Sequence, residues 1–171
     1  MSTDICHSET GLSSREAVED WNRMVTEFLA HGAAAPEHLA RVLEREPDAV
    51  LPLAAKGLFC LLLGRRETVQ AARAAAAAAR RADAGPPRAT AWCAALDGWL
   101  SGNPGAAVFH LEGVLARNPA DTLTAKLSHA IRFILGDAPG MRRSIERALD
   151  GHGGDHPLRG YVLGCHAFAL E

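Results

Sequence analysis

The chain has 171 residues, a formal net charge of −2 and 22% charged residues. That length carries one domain with a real core, and the near-neutral balance points to neither a nucleic acid nor an anionic membrane as partner. Alanine is abundant, aromatics make up 5%, and no run alternates Val, Ile and Thr as a half-buried strand does, so helix is favoured throughout.

Taken in chain order, the opening "MSTDICHSETGLSS" is polar and lacks the apolar stretch of a secretory leader. It reads as a flexible segment over 1–12, ahead of a helical domain over 13–171. Helices are predicted near 14–31, 37–46, 48–63, 66–83, 87–101, 104–117, 121–135, 138–150 and 157–170. Ser13-x-x-Glu16 offers a capping box for the first. The run "LFCLLLG" is far shorter than the about 20 apolar residues that cross a bilayer. Cys6, Cys60, Cys93 and Cys165 lie far apart with no C-x-x-C pair, which predicts reduced thiols and a cytoplasmic location.

The helices recur as a unit. Gly64, Gly102 and Gly136 each close an apolar run, in "GLFCLLLG", "LDGWLSG" and "IRFILG". They stand roughly 34 to 38 residues apart, a period typical of stacked helical hairpins. A helix-start signal follows each glycine: "GRRET", then "GNPG" with Asn103 as N-cap and Pro104 at the first helical position, then "GDAPG" with Pro139. Prolines end the units, at Pro47, at Pro86 and Pro87, and at Pro119.

This pattern resembles a tetratricopeptide repeat. With Gly102 as the turn glycine, Ala95 takes the small-residue position of a first helix. Ala107, Leu111 and Val114 then follow on the buried face of the second, and Pro119 closes the unit. Gly57 and Ala76 hold equivalent places around Gly64, while His129, Met141, Ile145 and Ala148 do so around Gly136. A weaker first unit runs through Ala35, Leu39 and Val42 to Pro47. Residues 127–171, through "LSHAIRFILGDAPGMRRSIERAL" and "HPLRGYVLGCHAFALE", are similar to the tetratricopeptide repeat protein 38 family. The resemblance implies an all-α, right-handed superhelix of antiparallel hairpins, about four of them with the last incomplete. It also implies the N-terminal part of a longer chain, because members continue into further hairpins.

In such repeats the first helices line a concave groove. The register assigns to it Leu58, Leu61, Leu62, Trp92, Leu96, Trp99, Leu100, Lys126, Phe133 and Ile134. Trp92 and Trp99 stand two helical turns apart and point the same way, which suits a peptide-anchoring hot spot. The alternative is that they pack between hairpins, or that the superhelix fills its own groove. Tyr161, Leu163, Phe168 and Leu170 on the last helix form a surface for a missing repeat or for self-association. The partner expected from this is a protein or peptide segment, held without catalysis, with a homo-oligomer through the last helix as a further possibility.

Nothing in the sequence implies a metal or a cofactor. His152-x-x-x-His156 has helical ligand spacing, but its two intervening glycines make it a loop. No nucleophile elbow, phosphate loop, dinucleotide fingerprint or H-E-x-x-H is present. Arg65, Arg66, Arg73, Arg80, Arg81 and Arg88 wrap around one hairpin without interleaved aromatics, as a solvated face does. The competing function is one wall of a small-ligand or enzyme pocket completed by a missing C-terminal region, with His129, His166 and Tyr161 as its residues.

Overall fold

The computed structural model describes residues 2–171, so Met1, the first residue of the expected flexible segment, lies outside the described residues. Among these are nine α-helices and no strand: α1 (Arg15–Leu29), α2 (Ala35–Arg45), α3 (Val50–Leu62), α4 (Arg66–Arg81), α5 (Pro87–Leu100), α6 (Pro104–Leu115), α7 (Thr122–Leu135), α8 (Ala138–Gly151) and α9 (Arg159–Leu170). Each helix packs on its sequence neighbour to give the pairs α1–α2, α3–α4, α5–α6 and α7–α8, with α9 laid on α8 and α7. Pairs also meet side by side, through α3 on α5 and α6 on α7.

Local chemistry sets the helix ends. Asn103, Asp121 and Asp137 each accept a hydrogen bond from the backbone N–H three residues on, satisfying one of the donors that a helix start leaves free. The first helix is capped one residue later than its sequence suggests. Ser14, not Ser13, accepts from the Ala17 N–H, and both serine amides donate to Glu46 at the end of α2. The three recurrent turn glycines, Gly64, Gly102 and Gly136, all take left-handed φ of 64°, 88° and 69°, where a side chain would be strained.

Small residues let the helices approach. The ideal Cβ of an alanine at Gly57 would run into the side chain of Leu96 on α5, so Gly57 serves the contact between neighbouring hairpins. On α4 the inward stripe is Ala72, Ala75, Ala76 and Ala79. Two carboxylates lock helices together across their polar edges. Asp20 of α1 accepts from Arg45 of α2 at 2.7 Å. Glu112 of α6 accepts from Ser128 of α7 and Ser144 of α8, both at 2.6 Å.

One core dominates. It joins Cys6, Leu12, Trp21, Met24 and Val25 from the N-terminal end to Leu58, Trp92, Leu96, Leu111, Leu123 and Leu127. A smaller cluster of Leu115, Ala125, Ile145, Ala148, Val162 and Cys165 seats α9. Residues of α1 and of the chain ahead of it thus share one core with residues of α3, α5 and α7.

That leading chain, expected as a flexible segment, is laid into the molecule over 2–12. Asp4, Cys6, Ser8, Thr10 and Leu12 alternate inward and are buried, and an isolated bridge pairs Thr3 with Glu9. Arg88 of α5, itself buried, donates to Asp4 at 2.5 Å and to Asp121 at 2.8 Å. Trp21 Nε1 donates to Asp4, and Ser8 Oγ donates to Asp121.

Gly57→Ala forces a methyl against Leu96, which is fully buried and has nowhere to move. The variant is expected to lose about 1–3 kcal/mol of unfolding free energy in urea, as overpacked cores do, whereas Gly113→Ala, where the added methyl meets nothing, is expected to be neutral or slightly stabilising.

Candidate functional site

A groove of about 1160 Å³ opens between the first hairpin, the end of α3, and the outer parts of α7 and α9. Its first wall is the end of α1 with the inward stripe of α2: Phe28, Pro36, Leu39 and Leu43. Lys56, Phe59, Cys60 and Leu63 come from α3 and its end. Opposite stand Lys126, His129, Ala130, Phe133 and Ile134 on α7, and Tyr161, Gly164, Cys165 and Phe168 on α9. The i, i+3, i+4, i+7 spacing of each set explains why each helix presents them together.

Two aromatic pairs frame the space. Phe28 stacks on Phe59 with centroids 4.2 Å apart and planes at 11°, joining α1 to α3. Phe133 meets Phe168 edge-on at 5.5 Å, joining α7 to α9. Such pairs add about 0.5–1.5 kcal/mol beyond the area they bury. Phe133, Ile134 and Phe168 nonetheless remain about half exposed, at 60%, 56% and 48%.

Polar groups are few. Lys126 Nζ lies 3.5 Å from His31 Nε2 and donates to Cys165 Sγ at 3.9 Å. Burial, helped by the Lys126 charge, pushes the His129 pKa down to about 4, so this imidazole is neutral at pH 7. Its Nδ1 is buried without a hydrogen-bond partner. Burial also raises the thiols of Cys60 and Cys165, which keeps both in the unreactive protonated form at neutral pH. Among the described residues no group of three His, Cys, Asp or Glu side chains is placed to hold a metal.

The predicted groove residues divide into two groups. Leu62, Lys126, Phe133 and Ile134 line the groove, joined by Tyr161 and Phe168 from the predicted last-helix surface. Leu58, Trp92 and Leu96 do not: all three are fully buried, packed in the same core as Trp21, Met24 and Val25. Trp92 Nε1 donates to Thr124 Oγ1 at 3.1 Å, a partner that an interior indole needs. Leu61, Trp99 and Leu100 are partly buried against that core and lie outside the groove. Trp92 is thus core, and Trp99 is half-buried against the same core. Leu163 and Leu170 are exposed, at 44% and 54%. His129 and Tyr161 share the groove, but His166 does not line it and stands 3.7 Å from Glu146.

Sequence reasoning missed Phe28, Phe59, Leu39, Leu43, His31 and Lys56. One signal was available for the last. Lys56 and Lys126 are the only two lysines in the sequence, among many arginines.

Two outcomes test this geometry. Trp92→Ala is expected to cost about 3–5 kcal/mol of stability, as large-to-small changes of buried aromatics do, while Phe133→Ala, which removes a half-exposed ring and its edge contact with Phe168, costs about 1–2 kcal/mol; urea unfolding measures both. His129 has a lowered folded pKa, so the folded state binds fewer protons than the unfolded chain between about pH 6.5 and about 4. Stability therefore rises with pH through that window and is lost as pH falls. His152 and His156, lowered by burial in the same direction, remain in a His129→Leu variant. That variant is expected to show a shallower decline of urea midpoint over the window than the parent, and equal slopes would place the His129 titration elsewhere.

No protein-family model matches the chain, and no solved structure matches it, so any functional assignment rests on the groove itself.

Proposed function

We propose that the chain is a non-catalytic binding protein of tetratricopeptide-like build, and that its groove receives a segment of a partner protein. The observation that carries this is the groove: an aromatic-walled, largely apolar space that stays open to solvent in an otherwise filled core. The right-handed superhelix, and kinship with the N-terminal part of the tetratricopeptide repeat protein 38 family, belong to the same proposal. They are supported by the order of hairpins, by left-handed glycines at the recurrent turns and by α3 lying against α5. The "GYVLGCHAFALE" stretch forms α9, whose exposed Leu163, Phe168 and Leu170 suit a further helix or a second copy of the chain. A cytoplasmic location fits four free thiols, and among the described residues no helix is long and apolar enough to cross a membrane. A partner protein is favoured over a nucleic acid because the basic face of α4 is partly neutralised, Arg80 pairing with Asp97 at 2.5 Å.

A small apolar ligand is the second reading, favoured by the unpartnered Nδ1 of His129 beside the groove. It lacks an activated nucleophile, because burial raises the groove thiols and keeps them protonated at neutral pH.

Peptides selected from a displayed library against the whole chain are expected to bind it and to lose at least about fivefold in affinity, or 1 kcal/mol, to each of Phe59→Ala and Phe133→Ala. Circular dichroism should show unchanged helicity. Equal affinity for parent and both variants would remove the groove as the binding site.

A further inference from the structure

We infer that the partner segment is an amphipathic α-helix whose apolar stripe is flanked by carboxylates. The inference rests on the groove being a site for a protein segment and names the chemistry of that segment. Two features of the lining carry it.

The first concerns the backbone of the guest. Apart from His31 and Gly32 in the turn between α1 and α2, and Leu63 at the end of α3, the lining residues lie on helices, so most of the wall's own N–H and C=O groups are taken. The side chains offer almost nothing in their place. No Asn, Gln, Ser, Thr, Asp, Glu or Arg lines the groove, and its hydrogen-bonding groups are His31, Lys56, Lys126, His129 and Tyr161 with two thiols. An extended peptide brings one donor and one acceptor per residue and would leave most of them unsatisfied against Phe, Leu and Ala, at about 1–3 kcal/mol for each lost partner. A helix satisfies its own backbone and presents only side chains. An apolar stripe at i, i+3, i+4 and i+7 then meets the aromatic pairs.

The second concerns charge. The sequence spends 16 of its 18 cationic side chains on arginine and two on lysine, and both lysines line this groove, from α3 and α7. Among the described residues neither forms an ion pair, whereas many of the arginines do. Lys126 is held only by the His31 imidazole and the Cys165 thiol. No carboxylate lines the walls. The Glu27 carboxylate stands beside the lining residue Gly32 but pairs with neither lysine. The groove is therefore apolar with two unpaired ammonium groups at its edge, and its complement is a guest with acidic residues bordering its apolar stripe. A lysine on a long stem can follow such a carboxylate while its methylenes stay on the apolar wall.

The test uses the whole chain and three labelled helical peptides of about 16 residues, roughly 24 Å long. All carry the same leucine stripe and the same staple on the far face; the positions flanking the stripe are Glu, Gln or Lys. Fluorescence anisotropy at low salt is expected to show the Glu peptide binding about five- to tenfold tighter than the Gln peptide, and the Lys peptide weakest. The gap should close in about 1 M salt, where charges are screened beyond about 3 Å. The double variant Lys56→Met and Lys126→Met, which breaks no ion pair, should bind the Glu and Gln peptides equally, whatever the two apolar side chains add to both. Equal binding of all three peptides, or a Glu advantage that survives the double variant, overturns the acidic flank but leaves the protein-segment reading standing. Equal binding of a Glu peptide with its leucines scrambled off the stripe overturns the helix. Binding of none of the peptides, with dodecanoate displaced from the chain by Ala130→Trp, overturns the protein-segment reading itself in favour of a small amphiphile.

Discussion

The fold turns on one buried guanidinium. Arg88 at the start of α5 reaches Asp4 in the leading segment and Asp121 at the cap of α7, so three parts of the chain far apart in sequence converge on a single cation. Two carboxylates and one cation in a dry interior are tolerable only if every remaining lone pair is used. Here they are largely used. Asp4 accepts from the Cys6 and Ser8 amides and from the Trp21 indole, while Asp121 accepts from the Thr124 amide and the Ser8 hydroxyl. The paired carboxylates in turn hold the guanidinium charged by raising its pKa. Such a joint gives little net stability but strong register, because any displaced version leaves a charge without a partner.

With the leading segment pinned, α1 has one place to go. It lies against α7, and Trp21, Met24 and Val25 share one filled core with Leu58 of α3, Trp92 and Leu96 of α5 and Leu127 of α7. The available groove is displaced as a result. It opens beyond α1, where α2 and the end of α3 face α7 and α9, and the aromatic pairs Phe28–Phe59 and Phe133–Phe168 mark its two sides. The tryptophans, with the most area to bury, sit in the filled part; the phenylalanines hold the open part.

This division explains what could be read from the sequence. Helix positions were legible because their signals are local: left-handed glycines, proline at the first turn, Asn and Asp caps. The observed bounds fall close to those the periodicity predicts. The hairpin pairing followed from the spacing of those signals. The leading segment was not legible, because its inward residues Asp4, Ser8 and Thr10 are polar and look solvated until Arg88 and Asp121 are brought to them across the chain. The groove was half legible for a related reason. A register of first helices identifies which residues point inward, and Leu62, Lys126, Phe133 and Ile134 do line the groove. It cannot say that α1 will occupy the same inner face, and so Trp92 and Leu96 were assigned to a surface that the protein's own chain covers.

A row of helical hairpins is held by contacts between neighbours, and its curvature can drift because nothing spans several units. This chain breaks that rule in two places. Ser8 donates to Asp121, and His31 at the end of α1 lies beside Lys126 of α7, so the first hairpin is joined directly to the fourth. Those links close a ring across α3 and α5. The groove lies on that closure, its walls drawn one from each end of the row. The Arg88 joint lies outside its lining and ties the leading segment to the cap of α7, the helix that supplies one side of the groove. A preorganised wall gives up less conformational freedom on binding than a hinged one, and α7, held at its cap by Asp121 on Arg88, is a wall of that kind.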